Sequence, residues 1–291
     1  MKHLYRMEGR GRSAFTLLEL MVVVFLVIIV AAILFPAMNK ANCRADRVKC
    51  AANLKQIGLA IQLYGNENKG AYPRTGYAAG QGLTFSSDAS DGSAPRDPFG
   101  DKGLPGKVAD NDMIAAIFLL VRTQDITTEV FLCPDSNEDK DVFGKTPGIN
   151  AMNKTSFTDW RKNLSYSFIN FYPDAEAISI GYKINATVGS EIAIAADMNP
   201  GVGDQYDVTF PTETSLASQI KKANSRNHQG AGQNVLYGDG HAEFQQTAFC
   251  GMKRDNIYTV SGSTDGSVTT SKTVVGSPKW AGDSVLLPAF K

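Results

Sequence analysis

Three kinds of residue in this 291-residue chain have the types and spacing for chemistry. His228, Asp239 and His241 are the donors of a two-histidine, one-carboxylate metal set. The same stretch has a simpler structural reading. Gly238-Asp239-Gly240 lies between two apolar runs, as a hairpin turn does, while Gly230 and Gly232 answer backbone demands. We therefore take His228, Asp239 and Gly240 as structural, with no catalytic residue and no resident metal. The loop Asp135-Ser136-Asn137-Glu138-Asp139-Lys140-Asp141 has enough oxygens for calcium but not the ligand order of an EF-hand, so its default is a solvated surface. No cofactor is expected, and calcium is the only ion this loop would suit.

The third kind is cysteine. Cys43 and Cys50 fall on one helical face two turns apart, about 10 Å, too far to bridge each other. Cys133 and Cys250 are left as a candidate disulfide in an oxidising compartment. The spacing of a zinc finger, a phosphate loop or a nucleophile elbow is not found, so no enzyme is expected. Lys221, Lys222 and Arg226 form a small basic cluster that suits a solvated helix end better than an anion contact. Lys plus Arg and Asp plus Glu both number 29, which excludes a broadly basic surface, and no nucleic-acid partner is expected.

The charge is balanced in total but not along the chain. Lys2, Arg6, Arg10 and Arg12 precede an uncharged run from Leu20 to Met38. As a helix that run is about 28 Å long, close to the thickness of a bilayer core, and its basic flank predicts a cytoplasmic N-terminus. Glu19 stands at its edge, where a carboxylate is costly away from water. Beyond Pro36 the residues Cys43, Cys50, Leu54, Ile57, Ile61 and Tyr64 make one helical stripe, ended by Gly65, Asn66 and Gly70. This stripe predicts packing against a head domain rather than a coiled coil.

In the head, residues 76–108 are rich in Gly, Ser, Asp and Pro and predict a long loop. Met113 to Arg122 predicts a buried helix with Asp112 as its cap. Strands are expected at Glu129–Cys133, Leu164–Phe171, Glu191–Ala196, Gln233–Tyr237, His241–Phe244 and Asn256–Val260, with Val285–Pro288 closing the chain. Residues 261–279 predict a further loop. A helix followed mostly by strands gives an α+β class with an antiparallel sheet on the long helix.

Basic leader, small residue, then Phe15-Thr16-Leu17-Leu18-Glu19-Leu20 and a long apolar helix resembles the signal shared by type IV pilins and type II secretion pseudopilins. Cys50-Ala51-Ala52-Asn53-Leu54-Lys55-Gln56-Ile57, Tyr72-Pro73, Cys133-Pro134, Ser165-Tyr166 and the stretch from His228 through Asn234 to Asp239-Gly240-His241 resemble large pseudopilin-like proteins with a C-terminal His–spacer–Asp-Gly motif. Ten residues separate His228 from Asp239 where that motif has nine. The resemblance implies cleavage by a prepilin peptidase between Ala14 and Phe15, a small-residue variant of the usual Gly, and N-methylation of Phe15. It implies that Glu19 pairs with the amine of a neighbouring subunit and sets the stagger of a filament, and that Pro36 kinks the helix. Asp97-Pro98-Phe99-Gly100 is similar to a loop of major pseudopilins, some of which bind calcium.

These readings give a pilin-like fold: a cleaved leader (1–14), a transmembrane assembly helix (15–38), an amphipathic continuation (39–66) and an exported head (67–291) with a loop insertion at 76–108. The expected function is a structural subunit of a type II secretion or type IV pilus-like filament. Its partners would be the prepilin peptidase, copies or related pseudopilins, and an inner-membrane assembly platform. The expected location is the inner membrane, single-pass, with the head periplasmic or extracellular. The alternative is a membrane-tethered protein that binds polysaccharide or DNA through its loops and joins no filament.

Overall fold

The computed structural model describes residues 15–143, 148–203, 205–267 and 271–289; the side chains of residues 34–42 also lie outside the described residues. The chain divides into two compact units, Met1–Arg44 and Ala45–Lys291. Helix α1 (Leu17–Glu67) contributes to both.

In the first unit, α1 starts at a reciprocal cap. The Glu19 carboxylate accepts from the Thr16 N–H and hydroxyl, each at 2.9 Å, and the Thr16 hydroxyl accepts from the Glu19 N–H at 3.2 Å. Two otherwise orphaned N–H groups of the first turn are thereby satisfied. Ala14 lies outside the described residues, and so does the side chain of Pro36, although the helix backbone runs through that position.

The membrane expectation is corrected here. Among the described residues, no helix is long and apolar enough to cross a membrane. The described apolar stretch of α1 carries Glu19 in its first turn, and the span expected at residues 15–38 is withdrawn. With it falls the placement as a single-pass inner-membrane chain with a cytoplasmic N-terminus. The pilin-like architecture, one rod with a membrane half and a half under the sheet, is corrected for the same reason. Only α1 from Ala45 onward belongs to the unit that holds the sheet. What the structure shows is an α+β unit around a five-stranded antiparallel sheet.

In that unit the apolar stripe of α1 is buried at Cys50, Leu54, Ile57, Ile61 and Tyr64. Gly58 lets the helix come close to the sheet: a Cβ there would stand 3.0 Å from Leu236 Cδ1. Helix α2 (Met113–Thr123) is apolar on every side and buried from Met113 through Val121. Asp112 caps it by accepting from the Ile114 and Ala115 N–H groups.

Strands β1 (Tyr166–Ile169), β2 (Ala193–Asp197), β3 (Gln233–Tyr237), β4 (Ala242–Gln245) and β5 (Leu286–Leu287) are ordered β4-β3-β2-β1-β5. The three central strands are buried on both faces, which is why they read as apolar runs rather than alternations. Two expected strands are absent. Thr128–Phe131 is a 3₁₀ turn, and Asn256 makes an isolated bridge to Phe249. Val and an aromatic residue mark both segments, but each is an apolar plug into the core and not a ladder.

Candidate functional site

The register of the sheet builds the most concentrated group of reactive side chains. Asp197 ends β2 and pairs with Tyr166 on β1. Across the sheet on its other side, the Asn234 N–H of β3 donates to Asp197 Oδ2 at 2.6 Å. Asp197 is fully buried, so each carboxylate oxygen needs partners. The Cys50 thiol, from α1, donates to Oδ1 at 3.0 Å. Asn227 Nδ2 donates to the same oxygen at 3.1 Å. His228 Nε2 lies 3.1 Å from Oδ2. Cys133 follows the 3₁₀ turn Thr128–Phe131 and puts its sulfur 3.8 Å from His228 Nε2. The Tyr166 hydroxyl completes the floor, 3.3 Å from Cys50 Sγ and 3.2 Å from the Leu132 carbonyl oxygen.

Cys50, Cys133, Asp197 and His228 offer ligand atoms that all lie within 4.8 Å of one another, and the group could hold a metal ion. No family model, curated protein or solved structure matches this chain. The site must therefore be read from its own geometry.

Its electrostatics divide the two thiols. Burial alone would lower the His228 pKa, but the hydrogen bond and charge of Asp197, with those of Cys133, outweigh it and push it up to about 10. Cys133 is drawn below the usual thiol range, chiefly by its hydrogen bond with Cys50 and then by His228, against the cost of burial. Cys50 is held well above that range by burial, by Cys133 and by Asp197. The Cys133 sulfur stands beside the His228 ring, while Asp197 accepts from Cys50 and Asn227 on one oxygen and from Asn234 on the other. A cysteine paired with a histidine can serve as a nucleophile where a substrate can reach it. Here Cys133 and His228 are each 2% exposed and Cys50 and Asp197 fully covered, so the group faces the core and not a cleft.

The sequence-predicted residues are placed as follows. His228 belongs to this cluster and not to a set with Asp239 and His241. Those two sit at the exposed β3–β4 turn, where Asp239 Oδ1 accepts from the His241 N–H at 3.0 Å and meets its Nδ1 at 2.5 Å. The His241 ring stacks on Tyr237. Gly240 takes the left-handed conformation the turn needs, at φ +87°. The Cys133–Cys250 pairing is corrected, since all four cysteines are free and Cys133 faces His228 while Cys250 donates to its neighbour's carbonyl, Ala248 O.

The calcium expectation finds no gathered carboxylates among the described residues. Asp141 spends its oxygens on Phe143 and Thr158, and Asp97 on the Phe99 and Lys102 N–H groups. The metal-capable set is elsewhere and softer. Asp197 was missed because one acid at the end of an apolar strand carries no spacing signal. A signal for the rest was present: Cys50, Cys133, Tyr166, His228 and Asn234, which the pseudopilin-like resemblance picks out far apart in sequence, meet around it.

The other candidate feature is α1 in the first unit. Nearly every side chain from Phe15 to Ile33 is exposed and apolar, with Phe15 at 77% and Ile33 at 68%. Glu19 is the only charge in that stretch, and its carboxyl is held below the usual range by hydrogen bonds from the Thr16 N–H and hydroxyl.

Proposed function

We propose that this chain is a structural subunit of a filament of the type II secretion or type IV pilus kind, joined to its copies or relatives through the N-terminal part of α1, and that it is not an enzyme. The observation that carries the reading is the uncovered apolar helix. Fifteen large apolar side chains between Phe15 and Ile33 are exposed. Burying one such side chain fully is worth about 1.5–3 kcal/mol, so covering a third of them supplies on the order of 10 kcal/mol toward association. A helix apolar on all sides needs neighbours on all sides, which a bundle of like helices provides and a two-chain contact does not.

The resemblance to the prepilin signal supplies the order of events. A prepilin peptidase removes residues 1–14, and the new Phe15 amine is methylated. Glu19 then has a choice of partner. In the separate chain it closes the cap on Thr16; in the bundle it turns to the amine of a neighbour. An unpaired carboxylate among packed apolar helices is costly, so that pairing favours one axial stagger over the others.

The test is incorporation. Val24→Asp places a charge on the apolar surface and should remove the chain from filaments while leaving the fold of the second unit unchanged by circular dichroism. Glu19→Ala should leave cleavage intact and prevent incorporation. Wild-type levels of either variant in filaments would refute the proposal.

A further inference from the structure

We propose that Cys50, Cys133, Asp197 and His228 bind one zinc ion, which pins α1, β2 and two loops of the second unit together. The inference is independent of filament assembly. The donors are two sulfurs, one carboxylate oxygen and one imidazole nitrogen, drawn from four separate segments and all within 4.8 Å of one another. Around tetrahedral zinc, neighbouring ligand atoms stand about 3.3–3.8 Å apart, so closure asks for shifts of about 1 Å at most. Sulfur and imidazole suit zinc and exclude calcium and magnesium, which take oxygen. Four protein ligands in a closed site are the pattern of structural zinc; a catalytic ion keeps one position open.

The surroundings fit the charge this would leave. Two thiolates and a carboxylate exceed the ion by one negative charge. Donors for it are in place: Asn227 Nδ2 and the Asn234 N–H point at Asp197, and the Tyr166 hydroxyl at Cys50. The second observation is His228 Nδ1. It is buried, makes no hydrogen bond, and stands 3.4 Å from Asp135 Oδ2. With Nε2 on the metal, Nδ1 carries the proton and turns to that carboxylate, the usual support for a metal-bound histidine. Binding releases two protons to solvent, one for each cysteine thiol that becomes a thiolate ligand.

The experiment uses the full chain, purified without a histidine tag from zinc-supplemented cells. Elemental analysis should return one zinc per chain. Replacement by cobalt should give the thiolate-to-cobalt charge-transfer band and the intense d–d bands of a tetrahedral site. Chelation should lower the melting temperature. His228→Gln and Cys133→Ser should weaken zinc binding at least tenfold, and Cys43→Ser and Cys250→Ser should leave it unchanged. Asp135→Asn, which removes no ligand and no core atom, should weaken it about tenfold to a hundredfold while the chain stays folded. A folded, reduced wild-type chain with neither zinc nor the cobalt spectrum overturns the proposal. So does a Cys50–Cys133 disulfide found by mass analysis of the non-reduced protein, and so does adventitious zinc that Cys133→Ser and Asp135→Asn both retain at full affinity.

Discussion

Replacing Asp283 by asparagine should change how stability depends on pH. Asp283 is fully buried and accepts from the Ser261 N–H through both oxygens and from the Lys279 N–H at 2.7 Å. Burial nevertheless prevails over those hydrogen bonds and raises its pKa to about 6 from an ordinary value of 3.8. Three other groups bear on it. Lys279 favours its ionised form, Asp255 is itself pushed well up by burial and by Asp283, and the buried Tyr182 hydroxyl is pushed up partly by the Asp283 charge.

The folded state therefore binds the Asp283 proton more tightly than the unfolded state. Its contribution to stability is largest below about pH 4 and is lost as pH rises through about 6. A difference of about 2 units corresponds to roughly 3 kcal/mol. Other carboxyls, such as Asp88 and Asp207, are held low and pull the opposite way, so the observable is a difference between two proteins. Urea unfolding of wild type and Asp283→Asn at pH 4 and pH 7 should show the variant gaining, relative to wild type, about 2 kcal/mol on going from the lower to the higher pH, since part of the difference is already lost at pH 4. Parallel curves for the two proteins across that window would refute the reasoning.

Other changes have plainer outcomes. Leu54→Ala empties a fully buried place on the α1 stripe and should cost about 2–5 kcal/mol in urea unfolding. Gly232→Ala puts a Cβ 2.3 Å from the Gln245 carbonyl oxygen at a φ of +150° and should cost about 1–3 kcal/mol or more, read as a fall in melting temperature. Tyr166→Phe removes a buried hydroxyl between Cys50 and Leu132 and should cost about 1 kcal/mol in the same measurement. His241→Ala removes a half-exposed ring at the hairpin turn, should change stability by less than about 1 kcal/mol, and should leave the reactivity of Cys133 toward thiol reagents unchanged.

Periodicity carried the helices well. Cys50, Leu54, Ile57, Ile61 and Tyr64 announce their buried face by spacing alone, and Asp112 announces α2 because a capping carboxylate before an apolar run has one local explanation. The Asp-Gly turn fixed the β3–β4 hairpin for the same reason. Glu129–Cys133 and Asn256–Val260 read as strands because short apolar runs look alike whether they join a ladder or plug a core. The membrane expectation comes from an uncharged run in the sequence, and among the described residues no helix is long and apolar enough to cross a membrane. The buried cluster was hidden because its members are 50, 133, 197 and 228 in sequence. Only the packing of α1 and two loops against the end of β2 gathers them, and no local pattern encodes that packing. Glu19 has an intrachain explanation in its cap with Thr16, which the capping spacing Thr16-Leu17-Leu18-Glu19 carried from the start.

The central claim is that the apolar start of α1 is an assembly surface and that the assembled chain begins at Phe15. It is tested most directly by sequencing and weighing this chain in sheared filament material. The account predicts a polypeptide beginning at Phe15, lacking residues 1–14 and carrying one added methyl group. A chain that still begins at Met1, or that is absent from the filament fraction while abundant elsewhere, would contradict it.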